Sequence, residues 1–364
     1  MEFVNLSHMV FTLFFPPLVI LLLLLSLPPL IIYRLFHTLL LIFFSEKMTG
    51  KVALITGASS GIGEQMAYQY AKRGASLVLV ARREHELRRV AENSLRLGSP
   101  DVIVAPADVT KPEDCKKAVD KAVSHFGQLN HVVANAGLAS SCLFEEVTDI
   151  TSFKQVMDVN FWGGVYPTYY AIPHLRKSRG NIVVTASIAG RFPISRLSFY
   201  SASKAAALRF FETLRTELSP DIKVTIATPG YVESELTKGK LMLKEGQIKV
   251  DKEARDVVIG PLPIGNTEKC AKAIVDSACK GKRYVTWPSW YKALHLVTFL
   301  APEVLDWYSR TFYMTEPGNP QGNALSKKIL DMFGASMFYP TSIQSLEKKP
   351  NQFTMAKLEN SAFV

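Results

Sequence analysis

The sequence predicts an α/β fold in which helices cover both faces of a doubly wound parallel sheet, preceded by a membrane hairpin or anchor. Two patterns predict the sheet. Short β-branched segments alternate with helical stretches between residues 51 and 287, and a glycine-rich turn joins the first strand to the first helix. The membrane segment is predicted by residues 1–44, which hold far more than their share of the apolar side chains.

The predicted strands are short and apolar, and turns or helical stretches separate them. They cover residues 51–55, 77–81, 102–105, 131–134, 181–185, 223–228 and 283–287. The first helix is expected over 63–73, where Gly74 ends it. After the third strand, Thr110, Pro112 and Glu113 predict a helix start, because Thr can cap, Pro suits the first turn and Glu completes a capping box.

Residues 10–33 carry no formal charge and could form a helix that crosses ~30 Å of hydrocarbon. The proline pairs at 16–17 and 28–29 change that expectation, since each removes backbone donors and clashes with the preceding turn. The ten residues between the pairs make about 15 Å of helix, roughly half a hydrocarbon core. We therefore expect a hairpin that enters and leaves a phospholipid monolayer on one side. The alternative is a kinked single-pass helix.

The flanks of this segment predict its processing and orientation. Glu2, an n-region without Lys or Arg, and prolines 28–29 at the place of a cleavage site are atypical of a cleaved signal peptide. Arg34, Lys47 and Lys51 on the C-terminal side predict that the following domain faces the cytosol.

Composition divides the chain into four expected parts. They are a hydrophobic anchor over 1–46, a nucleotide-binding domain over 47–290, an aromatic helical extension over 291–344 and a polar tail over 345–364 that is expected to be disordered. Aromatic and basic residues alternate at helical spacing in the extension. That pattern suits a membrane interface, a dimer contact or a packed terminal helix about equally.

Charge and cysteine content exclude some classes of partner. The net charge is +10 and the basic residues are scattered, which favours an anionic membrane surface and cofactor phosphate over nucleic acid. The four cysteines form no CxxC pair, so we expect neither a metal site nor a disulfide framework.

The turn TGASSGIG, residues 56–63, follows a strand and opens a helix, which is the context that a dinucleotide-binding loop requires. Gly57, Gly61 and Gly63 allow a tight turn and a close approach of the backbone to a pyrophosphate, which the helix N-terminus then faces. The fold is therefore predicted to be Rossmann-like.

The end of the second strand indicates which dinucleotide binds. Folds that prefer NAD place an acid there, whereas this chain has Arg82 and Arg83 after Ala81. Two guanidinium groups suit a ribose 2′-phosphate, so we expect NADP(H) to be preferred over NAD(H). The alternative is that both arginines belong to a solvated helix start. Asp108, at the end of the third strand, is placed to meet the adenine end.

Tyr200 and Lys204 lie four residues apart and share a face of a predicted helix, and Ser187 follows the strand before it. A carbonyl–alcohol redox reaction needs a proton donor and acceptor beside the hydride path. A nearby ammonium is expected to lower the pKa of the tyrosine from ~10. Lys204 can also hold the nicotinamide ribose, and Ser187 can polarise the substrate oxygen.

Here the sequence resembles the short-chain dehydrogenases/reductases over about residues 50–287. The motifs TGASSGIG, ANAG at 134–137, Asn160, Ser187, YSASK from Tyr200 and PG at 229–230 follow that family's order and spacing. The resemblance implies that Tyr200 is the general acid/base and that Lys204 binds the ribose and tunes the tyrosine. It also implies that Ser187 orients the substrate oxygen and that Asn160 holds a water in the proton relay.

The same resemblance implies a set of cofactor contacts. They are Gly57, Ser59, Ser60, Gly61, Ile62, Gly63, Arg82, Arg83, Asp108, Asn135, Ala136, Gly137, Tyr200, Lys204, Pro229, Gly230 and Val232. Two positions depart from the family's pattern. Ala134 stands where the family usually has a second asparagine, and Ser234 replaces the threonine that often follows PG, which weakens the expected carboxamide contact.

A narrower resemblance is to plant steroleosins, oil-body proteins similar to 11-beta-hydroxysteroid dehydrogenases. It rests on the proline-interrupted arm, which that family calls a proline knob, on SSGIGEQMAYQYAKRGASLVLVARR from Ser59 and on TPGYVESELTKGK from Thr228. It implies NADP-dependent interconversion of hydroxyl and keto groups on a steroid or sterol, of the 11-beta- or 17-beta-hydroxysteroid dehydrogenase type. The implied location is the lipid droplet or endoplasmic reticulum surface, and the resemblance also implies a homodimer.

The long segment after Gly230 predicts a large substrate, because the corresponding loop of this fold closes over the substrate. Leu241, Met242 and Leu243 are candidates to line an apolar pocket there. The alternative is an ordinary surface loop. Two other functions stay open: the same chemistry on another lipid alcohol, such as a retinoid or a long-chain keto lipid, and a non-catalytic sterol- and NADP-binding oil-body protein. The proton-relay residues argue against the second, since a pure binder has no need of them.

Overall fold

The computed structural model describes residues 2–43, 45–316 and 319–344 of the 364-residue chain. The chain divides into two compact units, Met1–Glu46 and Lys47–Val364. The tail that we expect to be disordered, residues 345–364, lies outside the described residues.

The first unit is one helix, α1 (Glu2–Phe43), with all four prolines of the arm inside it. Its section Leu6–Phe36 has a mean hydropathy of 2.6 and is long and apolar enough to cross a membrane by length and composition. The arm is therefore a single helix, as in the alternative prediction, and does not form the expected hairpin. Each proline removes a backbone donor and crowds the preceding turn, but apolar helices tolerate prolines, and α1 is continuous through both pairs.

The second unit is built on a parallel sheet. The strands among the described residues are β1 (Val52–Thr56), β2 (Ser76–Ala81), β3 (Val102–Pro106), β4 (His131–Ala134), β5 (Asn181–Thr185), β6 (Lys223–Pro229), β7 (Lys240–Met242), β8 (Ile248–Val250) and β9 (Tyr284–Trp287). Seven of them form one sheet in the order β3-β2-β1-β4-β5-β6-β9, and β7 and β8 form a separate antiparallel pair. The seven strands expected from the sequence are all present, with ends that differ by at most one residue.

Helices connect the strands and cover both faces of the sheet. They are α2 (Gly61–Ala71), α3 (Glu84–Arg96), α4 (Pro112–Phe126), α5 (Lys154–Met157), α6 (Gly163–Ser178), α7 (Ser198–Leu218), α8 (Lys252–Ile259), α9 (Thr267–Cys279), α10 (Ala293–Leu300), α11 (Pro302–Tyr313), α12 (Leu325–Phe333), α13 (Ala335–Phe338) and α14 (Thr341–Gln344). In β1, Ala53 and Ile55 pack with α2, α3 and α9, whereas Val52 and Leu54 pack with α4, α6 and α7. Both faces of the strand are therefore apolar, as in doubly wound sheets. The predicted fold class is confirmed.

The start of α4 differs from the prediction. The residue preceding the helix is Lys111, and it provides no side-chain cap. The Thr110 hydroxyl, expected to cap, instead donates to Asp108 Oδ1 at 2.9 Å. The hydroxyl already has this partner and does not cap the helix. The start of α4 is instead marked by Pro112 at the first helical position and by acidic residues in the first turn.

Part of the C-terminal extension packs against the sheet domain. Leu330, Tyr339 and Ile343 share a buried cluster with Tyr231 and Ile264, which lie in the segments after β6. Residues of α12 and α14 therefore fit the packed-helix alternative. α10 and α11 differ, because they leave several large apolar side chains exposed.

The start of α2 gives a test of the fold. A Cβ added at Gly63 would lie 2.3 Å from the Gly57 carbonyl oxygen, a backbone atom with little room to move. Gly63→Ala is expected to reduce the free energy of unfolding by about 1–3 kcal/mol, measured by chemical denaturation. The matched control is Gly164→Ala in α6, where the new Cβ would make ordinary contacts at 3.5 Å. Equal stability of the two variants would contradict this packing.

Candidate active site

A cleft of about 370 Å³ opens at the carboxyl ends of the parallel strands. The strand order reverses between β1 and β4, and ligands of open α/β sheets bind at such a reversal. The residues predicted from the sequence that line the cleft are Gly57, Ser59, Ser60, Gly61, Ile62, Arg82, Arg83, Asp108, Asn135, Ala136, Gly137, Ser187, Tyr200, Lys204, Pro229, Gly230 and Val232. Gly63 and Asn160 lie behind its walls. The tertiary fold thus brings almost the whole predicted set to one site.

The glycine-rich turn forms one wall of the cleft. Gly57 has a φ of 65°, and a Cβ there would lie 2.8 Å from the Ala136 Cα, so only glycine fits. The Thr56 hydroxyl accepts hydrogen bonds from the amides of Asn135 at 2.9 Å and Ala136 at 3.2 Å. These bonds hold the ANAG segment against the turn. The N-terminus of α2 begins at Gly61, beside a space that a pyrophosphate fits.

The arginines at the end of β2 lie beside this turn. Arg83 Nη2 donates to the Ser59 hydroxyl at 3.1 Å and to the Ser60 hydroxyl at 2.9 Å. Arg82 lines the same end of the cleft. Asp108 lines it too, and its carboxylate accepts from the Thr110 amide at 3.0 Å. This end therefore carries positive charge and hydroxyl groups, which suit a phosphate.

Tyr200 and Ser187 meet at the opposite side of the cleft. Tyr200 lies in the first turn of α7 and Ser187 lies just after β5, near enough for its hydroxyl to lower the pKa of the phenol. Lys204, one turn further along α7, is buried and donates to the Thr185 carbonyl oxygen at 2.9 Å. Its Nζ lies 5.9 Å from the centre of the Tyr200 ring.

Burial controls the protonation of this group. It raises the pKa of the Tyr200 phenol, and the nearby Ser187 hydroxyl opposes the shift less strongly. Burial also lowers the pKa of Lys204 to about 8. The prediction that the ammonium lowers the pKa of Tyr200 is wrong for this cleft. Desolvation disfavours the charged form of both groups, and Lys204 Nζ is directed to the Thr185 carbonyl.

Asn160 lies behind the cleft wall in a π-helical turn, Asp158–Trp162. Its Oδ1 accepts from the Leu138 amide at 2.7 Å, and its Nδ2 donates to the Leu138 carbonyl and to the Ser203 hydroxyl, both at 2.8 Å. Ser203 in turn donates to the Tyr200 carbonyl oxygen at 2.7 Å. The side chain of Asn160 therefore joins the loop after ANAG to the helix that carries Tyr200.

The rest of the cleft is largely apolar. Residues that the sequence reasoning missed line it, including Ile194, Leu197, Leu236, Val258 and Ile259. Among the three leucine and methionine candidates, Leu241 lines the cleft. Met242 instead joins a buried cluster with Cys142, Phe153 and Val156, and Leu243 packs beside the cluster that contains Leu241. β7 alternates its side chains, so neighbouring residues point to opposite sides.

Arg255 is a further cleft residue that the sequence did not single out. It is 1% exposed, lies on α8 beside the cleft, and binds Asp256 Oδ1 through Nε at 2.8 Å. Its guanidinium carbon lies 5.4 Å from the centre of the Tyr339 ring. The sequence does contain a signal for it. Arg255 precedes Val258 by three residues and Ile259 by four, so on a helix its charge lies on the same face as these two apolar side chains.

A glycine turn that a pyrophosphate fits, with a tyrosine, a lysine and a serine across the cleft from it, places the chain among oxidoreductases that use a nicotinamide cofactor. The sequence profile of the family described as short chain dehydrogenase matches residues 51–242. The chain accordingly belongs to the short-chain dehydrogenases, as its motifs predicted.

Named relatives narrow this family. The chain is 50% identical over 347 residues to 11-beta-hydroxysteroid dehydrogenase A of Arachis hypogaea, covering 95% of this chain and 99% of that protein. It is 48% identical over 354 residues to 11-beta-hydroxysteroid dehydrogenase 1A of Arabidopsis thaliana, covering 96% and 98%. The resemblance to the plant steroleosin type is confirmed.

A solved structure shares the fold. It is an alcohol dehydrogenase from the archaeon Thermococcus sibiricus complexed with 5-hydroxy-NADP. The TM-score is 0.55 at 28% identity, over 66% of this chain and 97% of that one.

The lysine gives a pH prediction. Because the pKa of Lys204 is lowered to about 8, the side chain is an ammonium below that pH and a neutral amine above it. The ammonium favours a phosphate-bearing dinucleotide, so the dissociation constant of NADPH should rise by up to about tenfold per pH unit above pH 8. Titrating NADPH fluorescence from pH 7 to 9.5 checks this.

Lys204→Met should bind NADPH weakly and without this step, whereas Lys116→Met, at an exposed position of α4, should keep it. A flat profile for the unaltered chain would show that Lys204 does not titrate in this range.

Proposed function

We propose that the protein is an NADP-dependent oxidoreductase that interconverts hydroxyl and keto groups on a steroid or sterol at a lipid surface. The observation that carries the proposal is the placement of Tyr200, Ser187 and buried Lys204 in one largely apolar cleft that also contains the glycine turn.

The chemistry follows from these side chains. The nicotinamide, when bound, gives or accepts the hydride. In reduction, the Tyr200 phenol donates its proton to the substrate oxygen, and the Ser187 hydroxyl donates a hydrogen bond to the same oxygen. In oxidation the tyrosine accepts that proton. The Lys204 ammonium, one turn along the same helix, is placed to hold the ribose. A raised pKa keeps Tyr200 protonated at neutral pH, which suits reduction of a ketone.

A steroid is the substrate class that the cleft supports best. Its walls beyond Ser187 are formed by Ile194, Leu197, Leu241 and Val258, which suit a rigid apolar ligand. The relatives at 48–50% identity carry the name 11-beta-hydroxysteroid dehydrogenase. Whether the enzyme acts at the 11-beta or the 17-beta position of the steroid is to be decided with a panel of substrates.

The lipid surface is supported by α1, whose described side chains between Leu6 and Phe36 are exposed and almost entirely apolar. By length and composition such a helix suits insertion into hydrocarbon. Basic Lys47 and Lys51 after it favour a cytosolic position for the catalytic domain, at an oil body or the endoplasmic reticulum. From the family we also propose that Asn160 holds a relay water and that the chain forms a homodimer.

NADP(H) is proposed over NAD(H) because Arg83 and Arg82 lie at the end of β2 beside the serine hydroxyls of the turn. The similar archaeal structure holds an NADP derivative, in agreement with this choice. Ala81 is followed directly by Arg82 and Arg83, where folds that prefer NAD place an acid, so these basic groups can bind a 2′-phosphate.

The experiment on class follows turnover of the full chain in detergent by nicotinamide absorbance, with hydroxysteroids and sterols, retinol and long-chain alcohols, each with NADP and NAD. Tyr200→Phe should lower kcat by about 10²–10⁴-fold while NADPH binding is kept, because only the proton donor is removed. Tyr169→Phe, at an exposed position of α6, is the control.

Preference for retinol or a long-chain alcohol would show that the substrate is another lipid alcohol and not a steroid. Tight NADPH binding without turnover on any substrate would sink the enzyme proposal and favour a sterol-responsive binding protein.

A second prediction concerns the cofactor. Arg83→Ala should raise the KM for NADPH by roughly 10–100-fold, the loss of a charge-assisted contact, and leave the KM for NADH nearly unchanged. Arg96→Ala, at the exposed C-terminal end of α3, is the control. Equal effects on the two cofactors would show that Arg83 supports the turn and does not read the 2′-phosphate.

A further inference from the structure

Five large apolar side chains form an exposed tip on the sheet domain. They are Leu296, Phe299 and Leu300 of α10, and Val304 and Trp307 of α11, with exposed fractions from 51% to 85%. We call these five residues the apolar tip. Residue Phe299, at 85%, is the most exposed of them, and Ala301 alone separates the two helices. Soluble surfaces rarely expose so many neighbouring large side chains, and such patches mark interaction sites.

The α10 part of the tip carries no acidic side chain and no lysine or arginine. Residues 293–302 contain no acidic or basic side chain except His295. Burial, and to a smaller extent the nearby Arg191, lowers the pKa of His295, so this imidazole is neutral at pH 7. The charges on α11, Glu303, Asp306 and Arg310, begin only beyond this stretch. Groups that would resist transfer into hydrocarbon are therefore missing from α10 itself.

The inner sides of the same helices are firmly packed. Leu294 and Leu305 pack against a buried cluster of Ile188, Phe192 and Tyr291. Ile188 directly follows Ser187 and also lines the cleft. The exposure of the tip is thus a property of a fixed element, and that element adjoins the wall of the catalytic cleft.

We propose that the apolar tip inserts into the lipid surface to which α1 attaches the chain, as a second, shallow point of contact. The proposal rests on the lipid location given under the proposed function. Five exposed apolar side chains on two consecutive helices suit entry into an apolar phase. A second copy of the chain fits less well, because stable protein interfaces take about 20–30 residues a side. Trp290 and Lys292, both exposed beside α10, are residue types typical of a membrane–water interface.

Insertion would place the cleft wall near the phase in which a steroid dissolves. Ile188 lines the cleft and also packs with Leu294 and Leu305, on the helices that carry the tip. Substrate would then have a short path from the lipid to the site. This gives α10 and α11 a role that the family profile, which ends at residue 242, does not cover.

The test uses the full chain with Phe299→Cys, labelled with an environment-sensitive fluorophore. The four native cysteines are buried and should label poorly. The protein is reconstituted into phosphatidylcholine vesicles with or without brominated acyl chains. Brominated lipid should quench the probe by roughly twofold or more, the effect of a position at the acyl boundary.

The control is Leu95→Cys on α3, an exposed leucine. Helix α3 lies beside the β3 edge of the sheet, whereas α10 follows β9 at the other edge. Its probe should not be quenched.

The outcomes separate the two proposals. Flotation of the vesicles shows whether the protein is bound to them. If the vesicles float and leave the protein behind, both the lipid location and the tip contact are overturned. Protein that floats with an unquenched Phe299 probe would overturn the tip contact alone. Probe self-quenching that depends on protein density, without quenching by bromine, would assign the tip to a second copy and would also overturn it.

A functional readout keeps the test independent of labelling. Phe299→Ser with Leu300→Ser changes only exposed side chains. It should raise the KM for a vesicle-dissolved steroid by roughly threefold or more and leave the KM for a water-soluble ketone unchanged. Equal KM values with the steroid would count against the tip contact.

Discussion

The Thr56 hydroxyl connects the two halves of the sheet where the strand order reverses. It donates to the Val133 carbonyl at 3.2 Å and accepts from the amides of Asn135 and Ala136. The cofactor turn begins directly after it, and the ANAG segment approaches Gly57 so closely that a Cβ is excluded. Losing one partner in such a buried network costs about 1–3 kcal/mol. The separation between the phosphate end and the catalytic end of the cleft depends on this junction.

Burial is the second constraint, and it acts on chemistry and recognition together. The apolar walls that suit a steroid also desolvate Tyr200 and Lys204. This raises the pKa of the phenol, which stays protonated, and lowers the pKa of the ammonium, which loses its proton more readily than an exposed lysine. The Thr185 carbonyl compensates part of the cost to Lys204. α1 and the apolar tip also expose apolar side chains to the surroundings. This agrees with the proposals, in which the substrate and the location are both lipid.

The sequence predicted well wherever one local pattern implied one structure. Strand ends were correct to one residue, since apolar runs between turn signals have few other solutions. The motif residues converge on one cleft because parallel strands end at one edge. Predictions failed where several neighbours decide the outcome. Met242 faces away from the cleft beside Leu241, Thr110 bonds Asp108 and does not cap α4, and α1 continues through its prolines.

By itself the sequence determined the doubly wound sheet, the family and the set of candidate proton-relay residues, because glycine, strand and helix signals are local and their order along the chain is fixed. Only the tertiary structure decided the direction of the Tyr200 pKa shift, the position of buried Arg255 beside the cleft and the exposure of Phe299. Each of these depends on which distant segments exclude water from a side chain. Solvent exclusion is a sum over neighbours from the whole fold, and no short stretch of sequence contains that sum.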